Sequence, residues 1–201
     1  MNTLFQDIFT GLMLGDGSIV KPATNAWFGQ TCRHKIYLNF VMDFMSKNGF
    51  TYAENAPYLR QGKSPRWSFT THVNTYFTEQ YLYWYPNGEK HIPYDIVLSP
   101  NTCLHWYIGD GCLCYGQDKY SRGINFATQC FSLNDCFLLQ NKMEDLGFPI
   151  IRRENGSHYM KKKSAKRFLE YIGSCPCLCY EYKWTTNNKE LYKLRKSTCL
   201  C

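Results

Sequence analysis

The tripeptide Gly15-Asp16-Gly17, closing the apolar segment Leu4 to Leu14, returns 94 residues later as Gly109-Asp110-Gly111 behind Cys103 to Ile108. One acidic helix ending thus occurs twice in a chain of 201 residues, and self-similarity at that period limits the possible folds more than composition does. Gly49-Phe50 has its echo in Gly147-Phe148, so only a few inserted residues separate the copies. A duplication that keeps one carboxylate per copy offers the paired hard oxygen donors that a divalent cation needs.

The element order repeats as well. Phe5, Ile8, Phe9, Leu12 and Met13 recur at helical spacing before Gly15 to Gly17 stops the helix. Ser18 to Arg33 reads as a hairpin turning at Pro22 to Asn25. A helix striped by Ile36, Phe40, Val41, Phe44 and Met45 follows and stops at Asn48-Gly49. Pro57 to Thr71 reads as a hairpin around Gly62 to Pro65, and Val73 to Tyr85 as a helix. The second copy runs helix to Ile108, hairpin Cys112 to Cys130, helix Leu133 to Leu146, hairpin Ile150 to Lys162 turning at Asn155-Gly156, and helix Ser164 to Ile172. The expected fold is α+β, a pseudosymmetric tandem αββαββα repeat with the two first helices packed at its centre. Its halves span 1–86 and 100–201, with 87–99 as linker and a basic tail on the second half.

Charge is uneven. Residues 152–201 hold 12 Lys/Arg against 4 Asp/Glu, whereas residues 1–151 hold 11 against 12, so the net charge of +7 resides in the last quarter. Such asymmetry favours a polyanionic partner. Eleven cysteines without a secretory segment at the start point to reduced thiols, and no apolar run approaches the roughly 20 residues of a membrane span, so a soluble chain without a membrane partner is expected. Cys112-Leu-Cys114, Cys175-Pro-Cys177-Leu-Cys179 and Cys199-Leu-Cys201 are spaced by one residue instead of the two to four usual for structural zinc.

Phe9-Thr10-Gly11-Leu12-Met13-Leu14-Gly15-Asp16-Gly17 and Cys103-Leu104-His105-Trp106-Tyr107-Ile108-Gly109-Asp110-Gly111 resemble the two motifs of a single-chain LAGLIDADG homing endonuclease. Lys90-His91-Ile92-Pro93, Thr128-Gln129-Cys130-Phe131-Ser132 and Tyr182-Lys183 are similar to further signatures of that family. The resemblance implies two antiparallel sheets forming a DNA-binding saddle. It also implies Mg²⁺-dependent hydrolysis of both strands across the minor groove at a long asymmetric site, leaving 3′ overhangs, by a monomer encoded within an intron. His105 departs from the pattern at its first glycine. Helix axes at a small-residue seam approach to about 8 Å, so an imidazole there must turn outward or be matched by a gap opposite.

The resemblance carries over residue by residue. Asp16 and Asp110, with Gly15 and Gly109 beside them, become the ligands of two or three divalent ions. Gln30 and Gln129, at the ends of the first hairpins, become residues that order active-site water, a solvated strand end being the alternative. Lys90 and Lys183 become the bases that steady the transition-state phosphate. Alternation along the hairpins allows a polar row over the major groove: Lys21, Asn25, Trp27, Arg33, Arg60, Lys63, Arg66, Ser68 and Thr70 in the first half. In the second half the row is Gln117, Lys119, Arg122, Asn125, Arg152, Arg153, His158 and Lys161. Both acids are present, which favours a nuclease over a splicing maturase acting on intron RNA or a non-cleaving DNA binder on the same scaffold. Localisation by resemblance is an organelle matrix, or a prokaryotic cytoplasm.

Overall fold

A computed structural model describes residues 2–62, 64–116 and 121–185. Lys63, Gln117 and Lys119 of the expected DNA row lie outside the described residues, as do Lys189, Lys193, Arg195 and Lys196 of the tail. The elements in order are α1 (Thr3–Leu14), β1 (Gly17–Val20), β2 (Trp27–Cys32), α2 (Lys35–Lys47), β3 (Tyr58–Arg60), β4 (Arg66–Thr70) and α3 (Thr75–Trp84). The same order then returns: α4 (Pro100–Asp110), β5 (Gly111–Tyr115), β6 (Ser121–Phe126), α5 (Leu133–Asp145), β7 (Ile150–Arg152), β8 (His158–Lys161) and α6 (Lys162–Ile172). A short 3-10 turn, Leu178–Lys183, follows. The two four-stranded antiparallel sheets are ordered β1-β2-β4-β3 and β5-β6-β8-β7, one pattern used twice.

The described residues divide into two compact units that do not coincide with the two copies: residues 16–62 and 64–93 form one, and residues 2–15 join 94–116 and 121–185 in the other. In the 16–93 unit, Ile19, Phe28 and Phe69 alternate onto one sheet face, where Phe28 meets Phe77 of α3 at 6.1 Å and Phe77 meets Phe50 at 4.6 Å. The buried stripe of α2 is Tyr37, Leu38, Val41, Met42 and Met45, whereas Ile36 is 44 % exposed. The expected stripe was therefore rotated by about one residue, because an apolar helix satisfies two adjacent 3.6-residue registers.

In the other unit α1 packs on α4. Asn2 caps α1, its side chain accepting from the Phe5 N–H at 2.8 Å. Ser99 caps α4 with Pro100 in its first turn. Trp106 of α4 stacks on Phe126 at 4.3 Å, and Phe126 meets Phe168 of α6 at 5.8 Å. Ser132 and Asp135 form a reciprocal capping box that starts α5. Strand β6 ends at Phe126, and Ala127 to Ser132 is loop, because Thr128 turns its hydroxyl to the Gly156 carbonyl.

Candidate active site

The seam between α1 and α4 is built from residues without bulk. A Cβ on Gly11 would overlap the Thr102 carbonyl oxygen and come within 2.8 Å of the His105 Cβ. Gly11 thus supplies the gap that His105 requires, and His105 is buried at the seam instead of turned outward. Burial lowers its pKa from 6.5 to about 4, which keeps the ring neutral. Thr102 donates its hydroxyl to the Asp7 carbonyl at 3.0 Å, tying the helices together a turn earlier. One turn further along, a Cβ on Gly15 would stand 3.3 Å from the Gly109 Cα, so the two backbones nearly touch.

Those touching glycines are the residues before Asp16 and Asp110. Gly15 ends α1 with its N–H shared between the Gly11 and Leu12 carbonyls, at 3.2 Å each, and Asp16 follows as an exposed turn residue. Asp110 is the last residue of α4, half-buried, and its carbonyl accepts from Ala127 N–H at 3.0 Å. Gly111 then enters β5 against the Tyr107 ring, where a Cβ would overlap ring carbons.

Each motif has a lysine behind it. Lys90 donates to the Gly17 carbonyl at 2.9 Å, and Lys183 donates to the Gly111 carbonyl at 2.7 Å. Both carbonyls belong to the glycine that follows the motif aspartate. Lys183 is buried and also donates to the Tyr107 and Ile108 carbonyls, at 3.2 and 2.5 Å, so its three protons meet three backbone acceptors. A cation there satisfies helix-end carbonyls and complements the negative end of the α4 dipole. The Tyr107 hydroxyl returns a bond to the Lys183 carbonyl at 2.5 Å, locking the 3-10 turn onto α4.

The glutamines are placed differently. Gln30 pairs across the ladder with Gly17, the residue after Asp16, and is 3 % exposed with no hydrogen-bond partner at Oε1. The matching register puts Phe126 opposite Gly111. Gln129 lies three residues beyond, exposed in the turn after β6 and close to Gly156. An orphaned, buried acceptor beside one motif is the kind of group that a water or cation completes. Beside each motif the polar groups on offer are oxygens, the donor type that suits a hard divalent cation keeping part of its water shell.

Strand alternation sorts the expected DNA row. Trp27, Arg60, Arg66, Ser68 and Thr70 share the sheet face opposite Phe28 and Phe69, and Arg60 stands directly across from Arg66. Arg33 and Arg66, with Ser64 and Pro65, line a hollow of about 330 Å³. Ser68 is buried, its hydroxyl 2.8 Å from that of Thr31. Asn25 lies in the exposed β1–β2 turn, and Lys21 reaches the Tyr81 ring, 5.9 Å from its centroid. In the second sheet Asn125, Tyr159 and Lys161 share the corresponding face, and Arg153 stacks on Tyr159 at 4.1 Å. Arg152 alternates to the other side opposite His158, and Arg122 stands at the register shift between Ser121 and Gly123; both are exposed.

His158 is a correction to the expected row. It is fully buried between Phe126 and Arg152 in the ladder, with Nδ1 2.8 Å from the Thr128 hydroxyl, so no base edge is within its reach. A polar residue in an exposed-looking hairpin had been carried inward by a period of two.

Comparison with known proteins fits this geometry. Residues 6–168 match the model of the LAGLIDADG DNA endonuclease family. An uncharacterized protein of Methanocaldococcus jannaschii is 27 % identical over 205 residues, covering 92 % of this chain and 79 % of its own length. The cytochrome b mRNA maturase bI2 of Debaryomyces hansenii is 31 % identical over 141 residues, 64 % of this chain. The maturase bI2 of Saccharomyces cerevisiae is 29 % identical over 164 residues. The chain spans 51 % and 37 % of the length of these two maturases. The homing endonuclease I-WcaI bound to its DNA recognition sequence has the same fold, with a TM-score of 0.76 at 19 % identity over 92 % of this chain and 88 % of its own. I-DmoI in complex with DNA and Mn aligns at 0.52 and 9 % identity over 84 % of this chain and 96 % of its own.

Proposed function

The chain belongs to the LAGLIDADG DNA endonuclease family, and on that premise we propose that it is a monomeric, intron-encoded homing endonuclease. It cuts both strands of a long asymmetric duplex across the minor groove and leaves 3′ overhangs. The observation that carries the reading is the glycine contact of α1 with α4, each helix delivering one aspartate to its end, with a lysine bonded to the carbonyl just past each acid. Chance turn acids have no reason to share a helix seam and a lysine.

Asp16 and Asp110, with Gly15 and Gly109 beside them, would hold two or three Mg²⁺ ions, which would supply charge neutralisation at the scissile phosphates and a lowered pKa for attacking water. Gln30 holds a water through its unpartnered Oε1, and Gln129 does so in the second half. Lys90 and Lys183 keep a positive charge at the glycine that follows each acid, where negative charge develops on phosphate. The arginine-bearing sheet faces read the major groove and grip phosphate, leaving the helix-covered faces as core. The two copies, 1–86 and 100–201 joined by 87–99, each serve one strand. Selection of cleaved sites from a DNA library with Mg²⁺, with Ca²⁺ and without metal tests the reading. Cleavage only with Mg²⁺ at one extended site is the expected result, and metal-independent or absent cleavage overturns it.

The maturase reading has its own support in the two yeast proteins named as mRNA maturases. On that reading the partner is intron RNA, and the compartment is an organelle matrix; a prokaryotic cytoplasm suits the archaeal relative. Splicing of the host intron in the presence of the protein separates it from the nuclease reading, and the two activities are compatible in one chain.

A further inference from the structure

Three thiols meet where α6 gives way to the 3-10 turn. The Cys177 and Cys179 sulfurs are 3.0 Å apart, and the Cys175 thiol donates to the Cys177 carbonyl at 2.9 Å. Cys175 and Cys177 are half-buried, so small solutes reach them, whereas Cys179 is buried against the protein. No group of three or more His, Cys, Asp or Glu among the described residues is arranged to hold a metal ion. The nuclease reading makes no use of these sulfurs.

We infer that Cys175, Cys177 and Cys179 are an oxidative modification site, closed by peroxides into a disulfide that always includes the central Cys177. Cys177 is the hub because its sulfur meets that of Cys179 while its carbonyl accepts from the Cys175 thiol. The neighbouring Cys177 side chain lowers the pKa of Cys175, raising its thiolate fraction, while Cys175, Cys179 and burial raise that of Cys177.

The chemistry balances with one peroxide per bridge. The Cys175 thiolate attacks a peroxide oxygen, the O–O bond breaks, and the departing oxygen leaves as water after taking up a proton, giving a sulfenic acid. The Cys177 sulfur then attacks the Cys175 sulfur. The S–S bond forms as the hydroxyl leaves with the Cys177 proton as a second water. Two thiols have lost two electrons and the peroxide has gained them. Cys179, in contact with Cys177, takes over the bridge by exchange. The ring closes at the base of the turn that carries Lys183 into the carboxyl end of α4, with Trp184 donating to the Gly173 carbonyl at 2.8 Å on its far side.

The test uses the full chain, reduced and then given one equivalent of hydrogen peroxide, with non-reducing peptide mass mapping. The peptide holding the three cysteines is expected to lose about 2 Da and to regain it with dithiothreitol. Cys177→Ser is expected to abolish that loss and to leave Cys175 trappable by dimedone, while Cys130→Ser behaves as wild type. A bridge that persists in Cys177→Ser, or peroxide consumed elsewhere with this peptide unchanged, overturns the inference. Because the readout is mass, its failure is separate from any failure of nuclease activity.

Discussion

Lys183 spends its three protons on carbonyls at one helix end, and that density of bonds sets what its loss does. Lys183→Met leaves buried acceptors unsatisfied and is expected to lower stability by about 2 kcal/mol or more in urea denaturation. The same change at half-exposed Lys90 costs less, although both are expected to slow cleavage about a hundredfold at saturating DNA. Asp16→Asn and Asp110→Asn are each expected to reduce double-strand cleavage by at least about a hundredfold while gel-shift affinity stays within about tenfold; unchanged cleavage in both removes the metal assignment. Gly11→Ala places a methyl on the Thr102 carbonyl and is expected to cost about 1–3 kcal/mol, read as a lower denaturation midpoint. The places of Asp16 and Asp110 at helix ends were legible because glycines flank each of them. Phe126 in place of a second ladder glutamine was not, since the β5–β6 register depends on where the hairpin turns.

At the scale of elements, α6 is the most strained by its own sequence. Lys162 and Lys163 open it with no acid in the first turn and no side-chain cap, and Lys166 and Arg167 repeat the charge four residues on. Cations at a helix amino end oppose the dipole, and like charges at that spacing repel. Lys162→Glu with Lys163→Glu is expected to stabilise the helix by about 1 kcal/mol in total, yet to weaken DNA binding and flatten its salt dependence. A steeper or unchanged slope of log affinity against log salt shows that these lysines are not phosphate contacts. The element order was legible from periodicity and turn residues. The second half was set to begin at residue 100, where α4 starts, and serine followed by proline is how such a helix begins.

For the whole molecule, pH acts through two interior histidines. His105 and His158 are lowered from 6.5 to about 4, His105 by burial and His158 by burial and then Arg152. Between those values the unfolded chain binds more protons than the folded one, so stability is intact above pH 6.5 and declines as pH falls toward 4. Urea midpoints taken at pH 7 and 4.5 are expected to show the decline, and His158→Gln to reduce it; a midpoint independent of pH removes the role. The double αββαββα plan was visible in the repeated Gly-Asp-Gly. The packing of α1 on α4 was visible there too, because each copy ends its first helix on the same glycine turn. It sets a timetable for synthesis. Once α1 has left the ribosome it waits, its apolar stripe unsheltered, until some ninety further residues have emerged, so this stretch of nascent chain is most open to chaperones and proteases before Asp110 is translated.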